Sequence, residues 1–133
     1  MFLEHQSTLE GWGASTGLST MCYQKSRDGG DAYTYHSLCD PMGAPQLMIM
    51  KLGDNRVIGG YTLTGSSSGY SGCDSSAFLF SVSMNYKHTS SGAYYSCSNS
   101  YYNYSSYGPT FGGGHDLYVD VRAPRVGVPR VRA

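Results

Sequence analysis

Several short stretches carry residues whose types and spacing could do chemistry. Gly65-Ser66-Ser67-Ser68-Gly69 matches the G-x-S-x-G spacing that exposes a nucleophilic serine on a strand-to-helix turn beside a histidine. Its flanks are more Gly and Ser, with no helix-forming run behind them, so a surface loop is expected and a hydrolase is rejected. His36 and Cys39 stand at H-x-x-C spacing, and His115 abuts Asp116. Two histidines and a carboxylate suit a transition metal, but no second close-spaced ligand pair accompanies them. His36 is therefore expected to be hydrogen-bonded near a disulfide, and His115 to pack at the start of a strand. Calcium prefers oxygen-rich loops, and Asp28, Asp31, Asp40, Asp54 and Asp74 all fall in turn-like segments. No dense D-x-D-x-D run joins them, and no cofactor is assigned. Asn103-Tyr104-Ser105 is an N-glycosylation sequon, usable only in a secretory pathway.

The richest surface chemistry lies in AYYSCSNSYYNYSSYG, Ala93 to Gly108, which places six tyrosines among Ser and Asn. A sugar ring presents an apolar C–H face and a belt of hydroxyls. Tyrosine can stack on the first, while Asn, Ser and backbone groups bond the second. The same composition suits a protein contact. The plainer alternative is that several of these tyrosines pack over a sheet edge with only their hydroxyls wet. The expected ligand-binding residues are Tyr94, Tyr95, Tyr101, Tyr102, Asn103, Tyr104 and Tyr107, joined by His115 and Asp116 at the rim of the next loop. That loop, Gly112-Gly113-Gly114, could be taken for a phosphate cradle, but a cradle needs a helix after the glycines. DLYVDV, Asp116 to Val121, alternates like a strand, so the glycines are read as a sharp turn close to a neighbouring strand.

The elements that must position these residues are read from pattern. The 133 residues suffice for one domain, with 18 Gly, 13 Tyr and few charges. Gly and Ser are poor helix formers and Tyr favours pleated surfaces. Residues 1–17 read as polar and Gly-broken, anchored by Trp12. Leu18–Lys25 alternates like a first strand, and SRDGGDA, 26–32, is a turn. Tyr33–Asp40 is ambiguous between a strand and a short helical turn. Pro45–Leu52 reads as a buried strand, with Leu47 and Ile49 on one face and Met48 and Met50 on the other. Gly53-Asp54-Asn55 signals a hairpin that returns as RVIGGYTL, 56–63. Residues 64–76 are a low-complexity loop, and AFLFSVSM, 77–84, is the most hydrophobic strand. Few strong helix patterns and many short strands predict a mainly β fold, a compact antiparallel two-sheet β-sandwich with little helix.

Formal net charge is zero, yet residues 122–133 hold four of the nine Lys+Arg and no acid, leaving five basic against nine acidic residues elsewhere. A mildly acidic body argues against nucleic acid, which needs clustered Lys/Arg. The tail contains Pro124 and Pro129 and no periodicity, so it is read as extended, outside a domain spanning 1–121. No apolar run is long enough for membrane insertion, and residues 1–20 lack the basic-then-apolar pattern of a signal peptide. Cys22, Cys39, Cys73 and Cys97 form no CxxC and suit two disulfides in an oxidising compartment. Four cysteines allow three connectivities; Cys22–Cys39 with Cys73–Cys97 is the expected pairing.

Trp12, then CYQKSRDGGDAYTYHSLCDPMGAPQLMIMK (22–51), VIGGYT (57–62), AFLFSV (77–82) and GPTFGGGHDLYVD (108–120), taken in order, resemble the TLDc domain. The resemblance covers about residues 12–121, with the last block the most specific, and is nearest to cysteine-bearing extracellular members. Departures are Ile58 where a Phe usually precedes GGY, Tyr35 where a Phe usually precedes His36, and a missing Trp after GGYT. The N-terminal helices of longer members have no counterpart in the sequence pattern. The resemblance implies two sheets, minor helix and no established catalytic centre. Intracellular members are associated with oxidation resistance and with binding the vacuolar proton pump, roles not carried onto a disulfide-type relative. The expected function is a non-enzymatic, secreted recognition module that binds a glycan or glycoprotein in lectin fashion. The alternative is a structural or adhesive domain that self-assembles as a homo-oligomer or docks on a partner protein.

Overall fold

The computed structural model describes residues 2–17, 20–63, 71–72, 74–89, 101–102, 105–112 and 116–119. The fold is mainly β, built on two antiparallel sheets with few helices. The first sheet contains β1 (Gln46–Lys51), β2 (Val57–Thr62), β4 (Phe78–Ser81) and β5 (Tyr86–Thr89), in the order β1-β2-β4-β5. The second contains β3 (Ser71–Gly72), β6 (Tyr101–Tyr102), β7 (Thr110–Phe111) and β8 (Leu117–Tyr118), in the order β3-β6-β7-β8. The tail at 122–133, residues 64–70 of the loop expected at 64–76 and the pair Cys73 and Cys97 lie outside the described residues, while Ser71–Gly72 of that expected loop form β3.

The β1–β2 hairpin follows the pattern in the sequence. The Leu52 N–H donates to the Arg56 carbonyl at 2.8 Å, and Asn55 closes the turn at φ 66°, a conformation Asn tolerates better than most residues. Alternation along β1 then sorts its side chains. Leu47 and Ile49 pack on a cluster of Leu9, Ala14, Tyr61, Phe78 and Phe80. Met48 and Met50 join Ile58 and Leu79 against Phe111 and Leu117 of the second sheet. Both faces of the first sheet are thus apolar, which is why QLMIMK and FLF read as near-continuous hydrophobic runs.

Gly59 and Gly60, adjacent in β2, face opposite ways and admit an aromatic ring on each side. A Cβ on Gly59 would lie 2.5 Å from the Phe80 ring and 2.0 Å from the Met48 carbonyl oxygen. One on Gly60 would lie 2.7 Å from the Phe111 ring. The rings of two different strands therefore occupy the volume that side chains at these positions would take.

Two helical segments depart from the sequence reading, and one that it left open between a strand and a helical turn is helical. An N-terminal helix, α1 (Phe2–Gly11), replaces the irregular segment expected there. Leu9 is fully buried under it, and Lys87 secures its end, with Nζ donating to the Trp12 carbonyl at 2.5 Å while lying 4.5 Å from the Phe78 ring centroid. No long apolar stripe marks this helix; burial of one leucine and the adjacent Trp12 stabilises it. The strand expected over 18–25 is not formed among its described residues: 20–24 are irregular, and a single helical turn, α2 (Lys25–Asp28), follows. Arg27–Asp28 pairing and the Asp28 bond to the Gln24 N–H favour that turn over extension. The ambiguous segment is a helix, α3 (Ala32–Cys39), started by Asp31, whose side chain accepts from the Tyr33 N–H. Its buried residues, Ala32, Tyr35, His36 and Cys39, fall at i, i+3, i+4 and i+7, one helical face. A 3-10 turn, Asp40–Met42, ends it.

Candidate functional site

The tyrosine-rich stretch enters the fold through β6. Tyr101 pairs with Gly72 on one side and Phe111 on the other, and Tyr102 with Ser71 and Thr110. This strand is interior to its sheet, so its backbone is bonded along both edges. Past residues 103–104 the chain turns through Ser105–Pro109 into β7. There Tyr107 is half-buried, the Gly108 N–H donates to the Val119 carbonyl at 3.3 Å, and the Val119 N–H donates to the Pro109 carbonyl at 3.2 Å.

The same turn is held from the opposite side by α3. His36 is 9% exposed, its Nδ1 lies 3.0 and 3.1 Å from the two carboxylate oxygens of Asp40, and its Nε2 lies 2.9 Å from the Tyr107 carbonyl oxygen. Tyr35 meets the imidazole edge-on at 5.0 Å between ring centroids, and its hydroxyl donates to Gln46 Oε1 at 3.1 Å. One turn along, Cys39 is joined to Cys22 by a disulfide with a Cα–Cα distance of 5.2 Å. The expected first pairing of cysteines is therefore present, and His36 is hydrogen-bonded beside it as the sequence suggested. What the sequence did not reveal is the link to Tyr107, 71 positions away. No local signal marks a long-range bond to a backbone carbonyl.

Of the residues expected to bind a ligand, Tyr101 and Tyr102 share β6, Tyr107 lies in the following turn, and Asp116 is exposed at the start of β8. Asp116 also explains the first glycine of the loop. Gly112 has φ 86°, and a Cβ there would sit 2.0 Å from Asp116 Oδ2. Position 112 thus needs glycine for both its backbone conformation and the space its neighbour's carboxylate fills. Tyr94, Tyr95, Asn103, Tyr104 and His115 lie outside the described residues.

The loop carboxylates considered for calcium are each engaged by a protein donor. Asp28 binds Arg27 through both oxygens, at 2.7 and 2.8 Å. Asp31 caps α3, Asp40 holds His36, and Asp54 accepts from Arg56 Nε at 2.6 Å. Asp74 is 7% exposed and accepts from Thr62 Oγ1, the Leu63 N–H and the Ser76 N–H. Its role is to fasten the end of β2 to the approach of β4. The electrostatics follow these bonds. Bonding to the Arg27 side chain holds the Asp28 carboxyl below its ordinary range, and bonding to the Arg56 backbone does the same for Asp54. Burial, reinforced by the charges of Asp28 and Asp31, pushes the Tyr23 hydroxyl up. Tyr23 packs edge-on against Tyr35 and donates to the Gly29 carbonyl, so it serves the disulfide-linked corner.

These features define a class: a mainly β domain of two antiparallel sheets, with a short disulfide-tied helix braced against the turn that precedes β7. The chain belongs to the TLDc domain family, whose sequence profile matches residues 14–126. Helix α1 precedes that matched stretch. No curated protein matches the chain.

Proposed function

We propose that this domain is a non-enzymatic, extracellular member of the TLDc family, of the cysteine-bearing type, that binds carbohydrate through its Tyr/Asn/Ser-rich loops. In this reading its two sheets stack as a β-sandwich across Phe111 and Leu117, and the tyrosine-rich stretch forms one rim. The observation that carries the reading is the anchoring of that stretch. It includes an interior strand and ends in a turn bonded to both α3 and the residue after β8. A tyrosine in a braced turn, as Tyr107 is, can meet a sugar without first being ordered, which lowers the entropic cost of binding. Support for a non-catalytic role comes from His36, whose nitrogens contact a carboxylate and a backbone carbonyl rather than a nucleophile.

The second reading, a structural or adhesive interaction domain, draws on large exposed side chains: Tyr33 at 78%, Met84 at 70% and Tyr86 at 60%. A glycan array, run with sedimentation over a concentration series, separates the two. Sugar binding by a monomer that weakens about tenfold in Tyr107→Ala is the expected result. Absence of any sugar signal, with concentration-dependent assembly instead, would replace the first reading by the second.

A further inference from the structure

The geometry points to a proton-dependent clasp at His36 that fastens helix α3 to the turn before β7. A carbonyl oxygen can only accept, so the Nε2 facing the Tyr107 carbonyl at 2.9 Å must carry a proton. An ionised carboxylate can also only accept, so the Nδ1 lying 3.0 and 3.1 Å from the Asp40 oxygens must carry one as well. Neutral imidazole has a single N–H and can satisfy one of these partners, not both. The ring that makes both bonds is the imidazolium, and its charge is matched by Asp40. Losing one proton opens one end of the clasp.

The position of the Tyr107 carbonyl extends the consequence. It belongs to the same peptide group as the Gly108 N–H, which donates to the Val119 carbonyl at 3.3 Å. Hydrogen bonds in series polarise one another, so the bond from His36 strengthens the one made by Gly108. Asp40, His36, the 107–108 peptide and Val119 therefore form a continuous polar strut from the helical corner to the second sheet. Among the described residues the groups facing the ring include the Asp40 carboxylate from the 3-10 turn, the Tyr35 ring from α3 itself and the Tyr107 carbonyl from the turn. The clasp thus makes the anchoring of the tyrosine-rich stretch depend on the protonation of one ring, whatever that stretch binds.

The test is histidine ring nitrogen spectroscopy on the full-length, 15N-labelled chain from pH 5 to 9, with amide hydrogen exchange measured in the same samples. At the acid end both His36 ring nitrogens should report attached protons. As the ring titrates, exchange at Gly108 and Val119 should rise about tenfold relative to the β1–β2 ladder, the size expected for one net hydrogen bond. Rates are corrected for the intrinsic pH dependence of exchange. His36→Gln assigns the resonance and should abolish the step. If that variant does not fold, Asp40→Asn serves, because removing the carboxylate charge should move the step to lower pH. A ring singly protonated throughout, or a titration that leaves the relative exchange of Gly108 and Val119 unchanged, would overturn the proposal.

Discussion

The two glycines of β2 make a sharp energetic claim, because their neighbours differ in stiffness. At Gly60, a methyl group would meet Phe111 ring carbons at 2.7, 2.7 and 2.9 Å, all side-chain atoms that can tilt away. At Gly59, it would meet the Met48 carbonyl oxygen at 2.0 Å, a backbone atom of the paired strand that can move only if the ladder moves. Alanine lowers the entropy of the unfolded chain and by itself stabilises by roughly 0.4–1 kcal/mol. Overpacking costs about 1–3 kcal/mol where side chains must shift, and more where backbone must. Gly60→Ala should therefore be destabilised by a net ~1–2 kcal/mol, and Gly59→Ala by ~3 kcal/mol or more. Gly53→Ala, where nothing lies within 4 Å of the new methyl, is the control and should be near neutral. Urea unfolding with unchanged slope would read these differences. A double-mutant cycle sharpens the test, since Phe111→Leu should relieve much of the Gly60→Ala penalty and none of that at Gly59. Gly59→Ala as stable as the parent, or no coupling between positions 60 and 111, would refute the claim that rings from two strands lie on this dipeptide.

The remaining predictions concern the fastenings around that core. Reducing the Cys22–Cys39 disulfide, which spans 17 positions, should lower stability by about 3 kcal/mol, checked by unfolding Cys22→Ser with and without reductant. Asp74→Ala should cost about 2–4 kcal/mol, because it removes the acceptor of bonds from the Thr62 hydroxyl, the Leu63 N–H and the Ser76 N–H; Asp74→Asn should recover part of this in thermal melts. Asp28 has its folded pKa depressed by Arg27 and the Gln24 N–H. Its contribution is complete above its unfolded value and fades as pH falls through the folded one. Carboxyl NMR should find its midpoint below that of the urea-unfolded chain, and a midpoint at or above it would remove the Arg27 bond from the account.

Much of the first sheet was legible because side-chain period and turn chemistry agree there. Alternation placed Leu47 and Ile49 opposite Met48 and Met50, and GDN marked the hairpin. Around the helices the same reasoning failed for a physical cause. Tyr33 and Tyr35 alternate with polar residues, which left the segment open between a strand and a helical turn; Tyr33 is exposed and the real period runs through Ala32, Tyr35, His36 and Cys39. Two of those four are polar or sulfur-bearing, so a scan for aliphatic residues passes over the stripe. Leu18–Lys25 looked like a strand by alternation too, but the Arg27–Asp28 pair and the bond from Asp28 to the Gln24 N–H commit its end to a helical turn. Pattern gives way wherever a few polar bonds outweigh a weak hydrophobic face. Of the candidate site, Tyr101, Tyr102 and Tyr107 were chosen on composition alone, whereas the brace from His36 depends on a contact that only the folded chain creates.

That brace gives the helical corner a purpose that its sequence does not announce. Cys39 and His36 lie three positions apart on one face of α3, so the helix is fixed by two bonds of different chemistry on adjacent turns. The disulfide ties it covalently to the 20–24 segment, while the imidazole reaches the turn before β7. An eight-residue helix is too short to persist alone, so its orientation depends on these attachments and on the Tyr35–Gln46 bond to β1. Cutting the disulfide frees one attachment and leaves the other two, which predicts a loosened corner rather than a lost fold. In Cys22→Ser, amide protection should fall first in α3 and then at Gly108, and should persist along β1–β2. Uniform loss across all strands would mean that the disulfide supports the sheets directly, and that α3 is part of the core rather than a brace upon it.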